Sequence, residues 1–239
     1  MRWHHPTGIV LGFLLSACTL GSGEGTVQGQ LDVPNCWSGA FDLKPDFFAG
    51  VPYRSDYLIR VQQTADYANF ADGIAVHVTD VIAVRRALGT PLAVGLSPEV
   101  TAPGVPVMAD PDPPLVNFTL YLGRTCRSET VALYGTKSAL ANADGSCEIA
   151  GPVTCGQGAT VPAGAKMVSS TITFTHIFNG DPDEPSAQER LTDATFDVYL
   201  VDPRDVCPGG LGAPPRCRGH LTGKFKFYFE RGRPAQPFP

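Results

Sequence analysis

The chain has 239 residues, a formal net charge of -5, 17% charged residues, 26 glycines and 22 prolines. A mildly acidic chain has no electrostatic reason to seek nucleic acid or anionic lipid head groups, and this much glycine and proline argues against a helical protein and for one with many turns. The length suits one domain with a sizeable core, since all-β domains run to about 200–250 residues.

The first element in chain order is a targeting segment. Arg2 supplies a positive start, Ile9 to Leu15 form an apolar run, and the small residues Ser16 and Ala17 precede Cys18. That is the layout of a signal peptide, and the run is too short to span a bilayer, which takes about 20 residues. The stretch Leu15-Ser16-Ala17-Cys18 resembles the lipobox of bacterial lipoproteins. The resemblance is confined to the targeting segment, so it implies an address and no activity. It implies removal of 1–17, acylation of Cys18, and a membrane partner through the lipid. Each buried CH₂ contributes about 0.8 kcal/mol, so several chains hold firmly where one is marginal. Thr19, being other than Asp in the position after the cysteine, implies sorting to the outer membrane. Residues 18–28 read as anchor and flexible leash, and 29–239 as a single β-rich domain.

Period-two alternation then dominates, as half-buried strands require. Leu31 and Val33, Phe41 and Leu43, and Ile59 and Val61 open the pattern. Ile74, Val76 and Val78 alternate with Ala75, His77 and Thr79, and Val116, Phe118, Leu120 and Leu122 with Asn117, Thr119 and Tyr121. Val131 and Leu133 continue it. Ile172, Phe174, His176 and Phe178 share one face of a run from Lys166 to Asn179, and Phe196, Val198 and Leu200 follow. Phe225, Phe227 and Phe229 alternate with Lys224, Lys226 and Tyr228. Turn pairs punctuate the series: Asp72-Gly73, Asp144-Gly145, Asn179-Gly180 and Gly209-Gly210. Alternation favours antiparallel sheets with one packed and one wet face, hence an antiparallel β-sandwich or partly open barrel. One short helix is expected over Val81–Leu88, capped by Asp80, stopped at Gly89, and buried through Val81, Val84 and Leu88. Ser97–Pro114 and Gly135–Ala165 read as long loops.

Setting Cys18 aside leaves six cysteines: Cys36, Cys126, Cys147, Cys155, Cys207 and Cys217. In an oxidising compartment an even number suggests disulfides, with 15 pairings open to six cysteines. Cys147 with Cys155 and Cys207 with Cys217 each flank a Gly/Pro-rich loop, which would leave Cys36 with Cys126. No C-x-x-C spacing points to zinc.

Catalytic motifs are mostly missing: no G-x-S-x-G, no H-E-x-x-H, no Rossmann glycines. Gly219 to Lys224 is too short for a phosphate loop and enters a strand. His77 and His220 fall on polar faces and read as bystanders. His176, in register with apolar neighbours, is the candidate general base or ligand. Asp181, Asp183 and Glu184 form an acidic turn and are the candidate Ca²⁺ ligands, as is Asp110-Pro-Asp112 in the first long loop, although neither matches an EF-hand. Asn117-Phe-Thr119 matches a glycosylation sequon but sits mid-strand. Trp37, Tyr53, Tyr57, Tyr67 and Phe70 could line a sugar- or peptide-binding surface, against core packing as the plainer account. The proline-rich tail 231–239 could cover a sheet edge.

These readings lead to a lipid-anchored envelope protein with a structural or recognition role, without cofactor, meeting an envelope protein or a glycan. The alternatives are an exported enzyme around His176 and Asp181–Glu184, or a Ca²⁺-stabilised adhesin-like module.

Overall fold

Alternating apolar residues can be buried only where two strand faces meet, and the computed structural model shows how the chain arranges this. It describes residues 23–64, 71–95, 114–126, 132–147, 163–205 and 214–230. The strands are β1 (Gly23–Val33), β2 (Trp37–Leu43), β3 (Phe47–Tyr53), β4 (Asp56–Gln62), β5 (Gly73–Val78), β6 (Leu92–Gly95), β7 (Val116–Tyr121), β8 (Ala132–Gly135), β9 (Ala139–Asn142), β10 (Ala165–Val168), β11 (Thr171–His176), β12 (Leu191–Val201) and β13 (Gly219–Tyr228). The one α-helix among the described residues, α1, is Val81–Arg86.

Eleven strands form one hydrogen-bonded sheet in the order β2-β1-β13-β12-β11-β6-β7-β5-β4-β3, with β8 pairing both β12 and β7. The sheet folds back on itself into two packed layers. β13, β12 and the segment just after β11 face β3, β4 and β7, and aromatic side chains meet between them: Phe118 with Phe196 at 5.1 Å, Tyr57 with Phe178 at 5.3 Å, and Phe48 with Phe227 at 6.2 Å. The architecture is the all-β sandwich expected from the alternation. Pairing is antiparallel throughout this sheet except between β6 and β7.

The core contains the residues that alternation selects. Leu31, Val33, Phe41, Leu43, Ile59, Val61, Ile74, Val76, Val78, Phe118, Leu120, Leu133, Val198, Phe225 and Phe227 are all buried, each contributing about 1.5–3 kcal/mol. Tyr57 joins them, fully buried, so it is a core residue and not part of a binding surface. Its hydroxyl lies 3.4 Å from Thr192 Oγ1 across the sandwich. Burial drives the phenol far above its ordinary pKa, only partly offset by the Thr192 contact. The residue therefore stays neutral, as a buried phenol must.

Three sequence expectations change. Residues 23–28 belong to β1, paired with β13 from Gly23↔Phe227 onward, and not to a leash. Their glycines are packing residues: a Cβ at Gly23 would lie 2.5 Å from Phe48 Cγ, and one at Gly25 3.1 Å from Phe48 Cε1. The span Gly135–Ala165 is not all loop, because β9 lies within it with Ala139, Leu140 and Ala141 buried. The run Lys166–Asn179 is two strands, β10 and β11. They are separated at fully buried Ser170, whose hydroxyl accepts from Tyr199 N at 2.9 Å and donates to Tyr199 O at 3.2 Å.

The helix starts where expected. Asp80 Oδ1 accepts from Ala83 N at 2.9 Å, the side-chain cap that the first turn needs. It ends by Ala87, before Gly89 at φ +79°. Val81 and Val84 are buried but Leu88, past the last turn, is 40% exposed.

Among the described residues the disulfides are Cys36–Cys126, as elimination suggested, and Cys147–Cys217. The second replaces the expected local bridges Cys147–Cys155 and Cys207–Cys217. β9 is the reason: Leu140 bridges to Arg216, with Cys217 N donating to Leu140 O at 3.0 Å, so the fold brings position 217 beside the β9 hairpin. Cys155 and Cys207 lie outside the described residues, as do Cys18, Thr19, Tyr67, Phe70, Asp110, Asp112, Val131, Gly209, Gly210 and the tail 231–239. Sequence separations of 90 and 70 give each bridge about 4–5 kcal/mol as an upper figure.

Two outcomes test this packing. Gly23→Val should lose about 1–3 kcal/mol in urea denaturation by driving into Phe48; unchanged stability would show that β1 does not pass beneath that ring. Non-reducing peptide mapping should recover Cys147 joined to Cys217, and a Cys147–Cys155 peptide would contradict the pairing.

Candidate functional site

The outer face of the β1/β13/β12 layer carries the polar half of each alternation. Register places Tyr199, His220 and Gln30 side by side across three strands. The Tyr199 and His220 rings stack with centroids 4.1 Å apart and planes 2° apart. His220 Nε2 lies 2.6 Å from Asp197 Oδ1. A carboxylate can only accept, so Nε2 carries the proton and Nδ1 remains as the ring's second polar atom. Burial raises the Tyr199 phenol, helped by the nearby Asp197 charge.

Above this row lies a half-open groove of about 440 Å³, within the range of small-molecule sites. Its floor is β1 and β13, one rim is Ser38 and Gly39 of β2, and the far wall is the turn Asp144–Cys147 that follows β9. The turn is internally bonded. Ser146 N donates to Asp144 Oδ1 at 2.9 Å, Asn142 Nδ2 donates to Ser146 Oγ at 2.8 Å, and Gly145 takes φ +90°. Hydrogen bonds from the Ser146 backbone and hydroxyl hold the fully exposed Asp144 carboxyl below the usual carboxylate range, with Lys166 adding to the effect. The Cys147–Cys217 bridge fastens this wall to the chain entering β13, over a small second core of Ala139, Ala141, Val201 and Cys217.

A charged cluster supports the same end. Arg218 Nε donates to Asp205 Oδ2 at 2.6 Å, and Arg218 O accepts from Asp32 N at 2.7 Å. Arg204 grips Asp202 through Nε at 2.9 Å and Nη2 at 2.6 Å. Burial pushes the Asp202 carboxyl up, but the Arg204 side-chain and backbone hydrogen bonds outweigh it and hold the group low.

The residues singled out by sequence take other places. A bulge between Phe174 and His176 puts His176 opposite Asp193, on the outer face and not with Ile172 and Phe174. Its Nδ1 is buried and unpartnered among the described residues. Asp181, Asp183 and Glu184 do not face a common point. Asp181 Oδ1 accepts from Asp183 N, while Glu184 takes Asn179 Nδ2 at 2.6 Å and Ser186 N at 2.8 Å, so both fasten their own turn. Among the described residues no three His, Cys, Asp or Glu side chains gather as a metal site would require. Asn117 is 9% exposed in β7, closed to glycosylation in the folded chain. Trp37 packs edge-on to Phe41 and donates Nε1 to Ala40 O at 3.2 Å. Tyr53 stands out 64% exposed beneath Arg54. His77 pairs with Asp56 at 3.0 Å.

The sequence reading missed His220, Tyr199, Asp197 and Asp144. Their only signal was polar residues at alternate positions in two strands, which has no meaning until register joins them. Among the described residues no Ser, Thr or Cys side chain hydrogen-bonds to His220. The pair with Asp197 orients the imidazole. The two long-range disulfides suit an oxidising, extracellular or envelope setting, and no helix among the described residues is long and apolar enough to cross a membrane. No protein-family profile, curated protein or solved structure matches the chain.

The Asp202 carboxyl makes a pH test. Its folded pKa is depressed, so its stabilisation is present above the ordinary carboxylate value near 4 and lost as pH falls through the lower folded value. Asp202→Asn should therefore be less stable than wild type at pH 7 and should approach it near pH 2, read by urea melts; an equal gap at both pH values would contradict the assignment.

Proposed function

We propose that this protein is a lipid-anchored envelope lipoprotein that acts by recognition and not by catalysis, with its groove presented to a soluble or surface-bound ligand. The observation that carries the recognition role is the groove itself. It is a half-open depression of mixed polar and apolar lining, whose wall is covalently fastened by Cys147–Cys217 and whose imidazole is oriented by Asp197. A site held rigid by a bridge and by internally bonded turns is pre-organised, which lowers the ordering cost of binding. The anchor rests on the lipobox-like Leu15-Ser16-Ala17-Cys18, and the outer-membrane address on Thr19. With β1 starting at Gly23, only residues 19–22 separate Cys18 from the sheet. Four residues extend at most about 13–14 Å, so the domain would sit close to the membrane surface.

Fractionation tests the anchor. The wild-type chain should pellet with membranes, whereas Cys18→Ser should lose acylation and move to the soluble fraction. Equal membrane association of the two would refute the lipoprotein assignment.

A further inference from the structure

The row Tyr199, His220 and Gln30 lies toward one end of the β1/β13/β12 layer, and the opposite end is built differently. There Gly23 pairs with Phe227, and Phe227 with Thr192. Thr192 Oγ1 accepts from Phe178 N at 3.3 Å and lies 3.4 Å from the Tyr57 hydroxyl, which brings the start of β4 to the same end. The β3–β4 turn and α1 follow. Val81 N donates to Ser55 O at 3.0 Å, Arg85 Nη2 pairs with Glu189 at 2.8 Å, and Gly89 N donates to Phe174 O at 2.9 Å.

Exposed apolar surface is concentrated here. Among the described residues six large apolar side chains stand exposed, and four of them belong to this end: Tyr53 at 64%, Ile82 at 59%, Tyr228 at 41% and Leu88 at 40%. Single exposed apolar residues need no explanation, but a group of them marks a surface that meets something. In α1 the buried Val81 and Val84 make the inward stripe, while Ile82 and Arg86, four residues apart, share the outward one. Arg86 pairs with no carboxylate among the described residues, and the Arg54 guanidinium lies 5.3 Å from the Tyr53 ring. Aliphatic, tyrosine and arginine side chains together suit a membrane–water boundary. Their apolar parts enter the acyl edge, while phenol and guanidinium stay among the head groups.

The tether selects the occupant. Gly23 opens β1, and only residues 19–22 separate it from Cys18. A lipid on Cys18 therefore holds this end against a bilayer, and not the groove end. Gln30 lies farther along β1 by about 23 Å at the usual strand rise. The acidic turn Asp181–Glu184 borders the same end, since Asn179 N donates to Glu189 O at 3.1 Å. Zwitterionic head groups answer both signs, with phosphate for the arginines and ammonium for the carboxylates, whereas a strongly anionic surface would repel the turn.

From these features we infer that the end formed by the β3–β4 turn, α1 and the close of β13 is a docking surface for a zwitterionic phospholipid bilayer. It seats Tyr53 and Ile82 at the acyl boundary and aims the groove away from the membrane. The inference rests on the Cys18 anchor proposed above and adds the orientation in which the anchor holds the domain.

The test uses the lipidated chain purified from membranes and reconstituted into vesicles of phosphatidylcholine and phosphatidylethanolamine, with bromine on the acyl chains near the glycerol end. After removal of 1–17, Trp37 is the one tryptophan left, paired with Val33 at the far end of β1. Wild-type emission should therefore match that in unbrominated vesicles. Tyr53→Trp and Ile82→Trp should each lose about a third or more of their emission, because side chains seated about 5–10 Å into the boundary come within reach of bromine. Adding Tyr53→Asp to Ile82→Trp should reverse most of that loss with an unchanged melting temperature, since both positions are exposed. Quenching of Ile82→Trp no greater than that of wild type, equal quenching of Trp37, or indifference to Tyr53→Asp would each overturn the docking surface. Mass spectrometry of the Cys18 peptide reads the anchor separately. An unlipidated Cys18 removes anchor and orientation together, whereas a lipidated chain with unquenched Trp at position 82 removes the docking surface and leaves the anchor standing.

Discussion

Two strands hold the molecule together because each has three neighbours. β12 gives one edge wholly to β13 and divides the other, with β11 along Asp193–Asp197 and β8 at Leu200 and Val201. β7 does the same, giving one edge to β5 and sharing the other between β6 and β8. The hydrogen bonds of β12, β11, β6, β7 and β8 therefore close a circuit that joins the two layers along one side. Gly135 sits where they converge, and a Cβ there would lie 2.6 Å from Val94 and 3.1 Å from Phe118. The constraint is backbone geometry, and it sets how closely Phe118 can meet Phe196.

Among the described residues the opposite side, at β2 and β3, has no such closure. There the layers are held by Phe48 lying over Gly23 and Gly25 and against Phe227, and by the Cys36–Cys126 bridge, which ties the β1–β2 turn to the segment after β7. Asp72 strengthens that anchorage. Buried, it accepts from Arg124 N, Thr125 N and Thr125 Oγ1 at 2.5–3.0 Å, fixing the turn that carries Cys126. A buried carboxylate with three donors is satisfied rather than strained. One side is thus closed by shared strand edges, the other by an aromatic ring and a covalent tie.

The groove depends on both devices without belonging to either. Its floor is the wet face of β1, β13 and β12, the outer side of one layer of the sandwich. Its wall is an appended two-stranded unit, β9 and β10, that would have little to hold it in place alone. The Cys147–Cys217 bridge, the Leu140–Arg216 pairing and the small core around Val201 fix that wall over the Tyr199–His220 stack. The stability of the appended unit and the shape of the groove therefore share one covalent bond, and both follow from where the fold places position 217.

Period and punctuation by themselves determined which residues are inward: the strand faces of β4, β5, β7, β12 and β13, the Asp80 cap, and turns at Asp144-Gly145 and Asn179-Gly180 were legible because they depend on neighbours within a few residues. Where local pattern and local need diverged, the reading failed. Gly23 and Gly25 looked like linker because glycine is missing a side chain for two reasons, flexibility and crowding, and only Phe48 distinguishes them. His176 looked inward because alternation counted from Phe174 does not see the bulge that sets His176 opposite Asp193. Cysteine pairing and the candidate site were decided by tertiary structure alone. A disulfide needs Cα atoms within several ångströms, which sequence distance does not report. Likewise His220, Tyr199 and Asp144 become one site only when strands far apart in the chain are brought into register.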